Sequence, residues 1–250
     1  ATTEIYTLSL RDALPISSRS VLVTGGNRGI GRAICERFLA AGHKVTSADL
    51  GGEPPAGALG VTCNVADPAQ VDAAFDAAEK AHGPVEIVIA NAGITKDGLI
   101  MRMTEEQWDA VIDVNLKGCF HTARRAVKTM MRARHGRVVF MGSVVGLYGN
   151  AGQVNYSASK AALVGMARSL TREVGKRGIT FNVVAPGFIE TEMTAVLPTE
   201  VTDGFKAQTP AGRMGTVDDI ANAVEFLCSD GAGYISGAVI PVDGGLGMGH

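Results

Sequence analysis

From residue 19 onward, short β-branched apolar runs alternate with longer stretches in which apolar residues recur every three or four positions. Runs that are apolar at nearly every position suit strands covered on both faces, and the longer period suits helices laid over them. Strands are expected over residues 20–24, 44–48, 58–63, 86–90, 137–141, 180–185 and 238–242. Seven strands separated by helical stretches predict right-handed βαβ crossovers. The expected class is therefore α/β: a single doubly wound domain, its seven-stranded, mostly parallel sheet carrying helices on both faces. Three helix starts carry their own signals: Asp67 before Pro68, Thr104 with Gln107 as a capping box, and Thr216 followed by Asp218 and Asp219.

Residues 1–18 follow neither period and predict a tail outside the fold, disordered or non-native, without the character of a leader peptide. Residues 19–250 show no linker or repeat, so one domain is expected for them. The 32 glycines and 5% aromatics suit many tight βα turns. With 23 basic and 25 acidic residues the net charge of −2 gives no field to draw in nucleic acid or an anionic membrane, and neither is an expected partner. No apolar run approaches the roughly 18 residues of a membrane span. Cys35, Cys63, Cys119 and Cys228 lie far apart in apolar stretches, and no histidine has ligand spacing. No metal site is expected, and reduced thiols point to the cytoplasm.

The first strand runs straight into Gly25-Gly26-Asn27-Arg28-Gly29-Ile30-Gly31, followed by a helix expected from about residue 32 to residue 41. Glycines let the backbone close on a pyrophosphate, and a helix N-terminus offers free N–H groups with partial positive charge. A Rossmann-type dinucleotide site is the reading. Asp49 ends the second strand, where a carboxylate accepts hydrogen bonds from an adenosine ribose and repels a 2′-phosphate. This favours NADH over NADPH. Arg28 points the other way, because a guanidinium in the loop can pair with a 2′-phosphate, stack on the adenine or lie in solvent.

Tyr156 and Lys160 stand four apart, on one face of a helix. A cation beside a phenol eases proton exchange near working pH, as a general acid requires. In the reduction of a ketone, hydride reaches the carbonyl carbon while charge builds on its oxygen, and two hydroxyls at the right distance stabilise it.

The glycine spacing of residues 25–31, Asn91-Ala92-Gly93 after the fourth strand, Ser143 thirteen residues before Tyr156, and Tyr156-x-x-x-Lys160 together resemble the short-chain dehydrogenase/reductase family. The resemblance implies Tyr156 as proton donor, Ser143 as the second hydroxyl, Lys160 as a partner of both phenol and cofactor ribose, and Asn115 as the residue whose backbone carbonyl holds a water near the lysine. It further implies that Asn64-Val65 contacts the adenine, where relatives usually have Asp-Val. The turn Pro186-Gly187-Phe188-Ile189-Glu190-Thr191 would hold the nicotinamide carboxamide through the Ile189 backbone and the Thr191 hydroxyl.

Within the family the chain is most similar to bacterial 3-oxoacyl-[acyl-carrier-protein] reductases of the actinobacterial type, through residues 24–31, 99–104, 142–146, 181–191 and 234–245. This implies a homotetramer that reduces 3-oxoacyl thioesters, carried on acyl carrier protein or coenzyme A, in fatty-acid biosynthesis. Arg134 and Arg177 match positions that dock the acidic carrier, though surface arginines at helix ends are also favoured by the helix dipole. Residues 188–215 read as a lid over the substrate. Asp49 and Leu50 depart from the pattern, since such reductases usually draw on NADPH. Two alternatives stay open: a dehydrogenase of another secondary alcohol, and a non-catalytic dinucleotide-binding protein.

Overall fold

The computed structural model describes residues 18–191, 194 and 198–248; the tail expected over residues 1–18 lies outside them but for Ser18. Seven strands, β1 (Ser20–Thr24), β2 (Lys44–Asp49), β3 (Leu59–Thr62), β4 (Val85–Ala90), β5 (Gly136–Met141), β6 (Ile179–Pro186) and β7 (Val239–Val242), form one sheet in the order β3-β2-β1-β4-β5-β6-β7. Every pairing is parallel, so the expected "mostly parallel" sheet is wholly so. Each strand ends within two residues of its expected limits. Strand order reverses between β1 and β4, and a crevice opens there at the C-terminal ends of the strands.

Side chains alternate between two packed layers. Leu22, Val88, Val138, Phe140 and Phe181 face α2 (Pro68–His82), α4 (Gly118–Ala133) and α6 (Val154–Val174). Val21, Val23, Ile87, Ile89, Val139 and Val184 face α1 (Gly29–Ala40) and α8 (Val217–Cys228). Because both faces are covered, adjacent strand residues can both be apolar, which is why most strands read as near-continuous runs, with buried polar exceptions such as Thr46, Ser47 and Asn182. The cysteines are free and buried, and burial pushes the Cys35 thiol up to about 12 and Cys63 up to about 11. They behave as small hydrophobes.

The first helix begins at Gly29, not near residue 32 as expected. Arg28 in extended backbone is its N-cap, and the Arg32 N–H already donates to the Arg28 carbonyl at 3.1 Å. Glycines in a first turn weaken helix propensity without preventing the bond that starts the helix. Three features carried no sequence signal that was read: a π-turn at Asp113–Lys117 joining α3 (Glu105–Ile112) to α4, the short α5 (Val145–Tyr148), and α7 (Thr199–Gln208) inside the expected lid.

The three anticipated caps are present. Asp67 accepts from the Ala69 N–H, and Thr104–Gln107 and Thr216–Asp219 form reciprocal boxes. Hydrogen bonding from Arg213, aided by the Thr216 N–H, holds the Asp219 carboxyl well below its usual value of 3.8. A depressed folded-state value makes this contribution complete above the unfolded value; it begins to fall as pH drops below about 3.8 and is gone only below the folded value. Asp219→Asn is expected to cost about 1 kcal/mol at pH 7 and markedly less near pH 2, measured by urea unfolding. An equal cost at both pH values would refute the assignment.

Candidate active site

The turn after β1 is held from the side by the end of β4. The Thr24 hydroxyl oxygen accepts the N–H groups of Asn91 and Ala92 at 3.0 and 3.1 Å, and the Asn91 amide donates to the carbonyls of Thr24 and Gly25 at 3.0 and 2.9 Å. Gly25 has φ +66°, a region that favours glycine. A Cβ built at Gly29 meets nothing within 4 Å, so the mouth of the turn is open. No side chain caps α1 and no carboxylate lies in its first turn, which leaves its free N–H groups available to an anion. These residues fit a dinucleotide pyrophosphate.

At the adenosine end, each Asp49 oxygen accepts one backbone N–H: Oδ2 from Asn27 at 3.0 Å and Oδ1 from Leu50 at 2.7 Å. A carboxylate oxygen has further lone pairs, so two ribose hydroxyls can still bind. Among the described residues the Arg28 side chain makes no hydrogen bond or ion pair, and Leu50 is exposed. Asn64 uses its side-chain oxygen on the Ala66 N–H at 3.0 Å, within its own turn. Val65 is buried against Gly118, and its carbonyl accepts from His121 Nδ1 at 3.0 Å.

The chemical centre lies where β4, β5 and α6 meet. Lys160, 5% exposed, donates from Nζ to the Met141 carbonyl at 2.7 Å and stands 5.5 Å from the centroid of the half-buried Tyr156 ring. Gly146 packs against the Lys160 stem so closely that a Cβ there would lie 2.8 Å from Lys160 Cβ, which brings residues 143–146 onto the start of α6. Ser143 Oγ accepts the Val145 N–H at 3.2 Å, leaving its hydroxyl hydrogen free to donate. Gly93 lies beside both Asn115 and Lys160: a Cβ there would be 3.3 Å from Asn115 Oδ1 and 3.4 Å from Lys160 Nζ. Asn115 sits in the π-turn, fully buried. Its amide clasps Ile94, accepting from N–H at 2.8 Å and donating to C=O at 2.9 Å, and donates to Ser159 Oγ at 3.2 Å. π-turns concentrate at functional sites because they re-aim side chains and carbonyls within a helix.

The turn after β6 faces this centre. The Pro186 carbonyl accepts the Val144 N–H at 3.0 Å, Gly187 packs against Asp243, and Ile189 is buried and bridges to Gly215. Beyond it a cavity of about 330 Å³ is lined by Glu190, Thr191, Thr194, Thr199, Thr202, Lys206 and Met214. Residues 192, 193 and 195–197 of the expected lid lie outside the described residues.

The profile described as "Enoyl-(Acyl carrier protein) reductase" matches residues 25–247. The chain is 53% identical over 236 residues to the 3-oxoacyl-[acyl-carrier-protein] reductase MabA of Mycobacterium tuberculosis, covering 94% of this chain and 96% of that protein. It is 48% identical over 235 residues to the 3-oxoacyl-[acyl-carrier-protein] reductase FabG of Escherichia coli, covering 91% and 96%. The chain belongs to the short-chain dehydrogenase/reductase family.

As in other enzymes of the short-chain dehydrogenase/reductase family, the reaction draws on a nicotinamide cofactor. Among the described residues no cluster of His, Cys, Asp or Glu could hold a metal ion, and no helix is long and apolar enough to cross a membrane. Arg134 and Arg177 do not stand at the mouth of this site, where a docking role on the same subunit would need them. Arg134 is the left-handed C-cap of α4 just before β5, and Arg177 ends a single 3-10 turn just before β6. Ser143 follows β5, so six strand residues at about 3.3 Å each, roughly 20 Å, separate the two ends. Sequence reasoning passed over Thr24, Asn155 and Ser159, which support the centre from behind. Asn155, fully buried, donates to the carbonyls of Lys96 and Gln107 and accepts the Tyr156 N–H at 2.8 Å. Thr24 closes an apolar run, whereas Asn155 and Ser159 stand among polar neighbours and carry no such signal.

Proposed function

We propose that this chain reduces the keto group of a 3-oxoacyl thioester, carried on acyl carrier protein, to the 3-hydroxyacyl thioester in fatty-acid biosynthesis. The convergence of Tyr156, Lys160 and the Ser143 loop at the C-terminal edge of the sheet carries this reading. A bound reduced nicotinamide supplies the hydride. Tyr156 donates its phenolic proton to the carbonyl oxygen, and the free Ser143 hydroxyl hydrogen gives that oxygen its second hydrogen bond. Lys160 keeps one donor on the Met141 carbonyl and has two left for the cofactor ribose and the proton path. Asn115 steadies the far wall, and its backbone carbonyl holds the water that returns the proton. Two hydroxyl donors suit charge on oxygen in either reaction, the alkoxide from a ketone or the enolate formed when hydride adds to an enoyl thioester. The choice therefore rests on the curated relatives, at 53% and 48% identity, which favour the 3-oxoacyl reaction over the enoyl reaction in the profile's description.

The cofactor we assign is NADH. A 2′-phosphate would lie within a few ångströms of the Asp49 carboxylate, and like charges 4 Å apart near a protein surface repel by about 4 kcal/mol. Leu50 supplies no compensating cation. Initial rates on acetoacetyl thioesters are expected to favour NADH over NADPH by about tenfold or more in kcat/KM. Clear preference for NADPH in the unmodified protein would overturn the cofactor assignment, and no reduction with either cofactor would overturn the reductase assignment.

The quaternary state we propose is a homotetramer in the cytoplasm. Leu99, Ile100, Met101 and Phe120 form exposed apolar surface, and β7 is an edge strand with half-exposed residues. Such surface is covered most simply by copies of the chain. In that assembly a carrier docked on Arg134 and Arg177 serves a neighbouring subunit's site, because its own lies at the opposite edge of the sheet.

A further inference from the structure

Ser47, fully buried in β2, donates its hydroxyl to Asn27 Oδ1 at 2.6 Å. The orientation of that amide is dictated by its other face, where Asn27 Nδ2 donates to the carbonyls of Gly51 and Gly52, both at 2.9 Å. Carbonyls only accept, so the nitrogen must face them and the oxygen must face Ser47. Asn27 thus ties the end of β2 to the segment that follows it, directly over the glycine turn. Arg32 adds bonds to the carbonyls of Asn27 and Glu53, both at 3.3 Å. The same Asn27 gives its backbone N–H to Asp49 Oδ2.

A carboxylate held by two backbone donors can turn aside from an approaching phosphate only by breaking them, and one of those donors is as rigid as Asn27 itself. We propose that Ser47 and Asn27 form a positioning strap that sets how strictly the cleft rejects a 2′-phosphorylated dinucleotide, by fixing Asp49 and the turn at Gly51 and Gly52. The proposal rests on the reading that Asp49 selects NADH. Neither residue needs to touch the 2′-position through its side chain. With the strap cut, Asp49 swings outward, and the neighbouring Arg28, whose guanidinium makes no hydrogen bond or ion pair among the described residues, becomes the nearest group for a phosphate.

The test is the discrimination ratio, kcat/KM with NADH divided by kcat/KM with NADPH, measured for the full chain on acetoacetyl-coenzyme A. Ser47→Ala and Asn27→Ala are each expected to lower the ratio about fivefold, through the KM values of the two cofactors, while the KM for the acyl substrate holds. In an Asp49→Ala background, with no carboxylate to fix, Ser47→Ala is expected to move the ratio less than about 1.5-fold. Equal shifts with and without Asp49, or a ratio unmoved in a Ser47→Ala protein of normal melting temperature, would overturn the strap. Should Asn27→Ala unfold, Ser47→Ala decides alone, because it removes a single oxygen. A ratio below one in the unmodified chain would instead sink the NADH reading underneath, and it is seen before any variant is made.

Discussion

Tyr156→Phe is expected to lower kcat for acetoacetyl thioester reduction by about 10²–10⁴-fold while NADH binding changes little. The substitution removes one oxygen and keeps the ring. What places the residue does not run through the phenol: the Asn155 side chain accepts its backbone N–H, and Lys160 is anchored on the Met141 carbonyl. Positions of the neighbours should therefore survive, and the loss should fall on the chemical step, where the carbonyl oxygen no longer receives a proton as hydride arrives. Single-turnover kinetics with pre-bound NADH separates this from a binding defect, and fluorescence titration of NADH checks the binding directly. Turnover within threefold of the unmodified enzyme would mean that another group donates the proton, and a non-catalytic dinucleotide-binding protein would regain its place if both forms were inert.

How far the sequence foretold this site depended on whether a residue's role is local. The strands were legible because burial on both faces lets apolar residues stand at adjacent positions, as at Val21–Val23 and Ile87–Ala90. Caps such as Asp67 and Thr216 were legible because side chain and partner lie within three residues. The Tyr156–Lys160 pair was legible for the same reason, one helical turn. What escaped depends on chain segments far apart. That the Asn115 amide clasps Ile94 and Ser159, 21 and 44 residues away, follows from a π-turn that no periodicity announces. Arg134 and Arg177 are a different case: each precedes its strand while Ser143 follows one, so their distance from the chemistry was in principle countable from the strand limits. The strap on Asp49 was not, because it needs Ser47, Asn27 and the turn at Gly51 and Gly52 to meet in space.

Gly31→Ala should disable the cofactor cradle more completely than any removal of a polar group around it. A Cβ at this position would lie 2.0 Å from the Gly25 carbonyl oxygen and 2.5 Å from the Asn91 amide nitrogen. Neither can yield cheaply. Gly25 is in a left-handed conformation, its N–H donates to the Ala48 carbonyl at 2.8 Å, and its own carbonyl already accepts from Asn91. Relief must come from sliding α1 away from β1, which opens the very turn whose uncapped N–H groups suit a pyrophosphate and loosens the packing of Ile34 and Phe38 beneath it. Overpacking of this kind costs about 1–3 kcal/mol, equivalent to roughly 5- to 150-fold in affinity if all of it falls on the bound state. Calorimetric titration with NADH should show that weakening, with a melting temperature lowered by several degrees, about 2–4 °C for each kcal/mol that falls on the fold of a chain this size. A Kd within threefold of the unmodified protein at an unchanged melting temperature would mean that the contact between α1 and the turn at Gly25 is not the one that shapes the cradle.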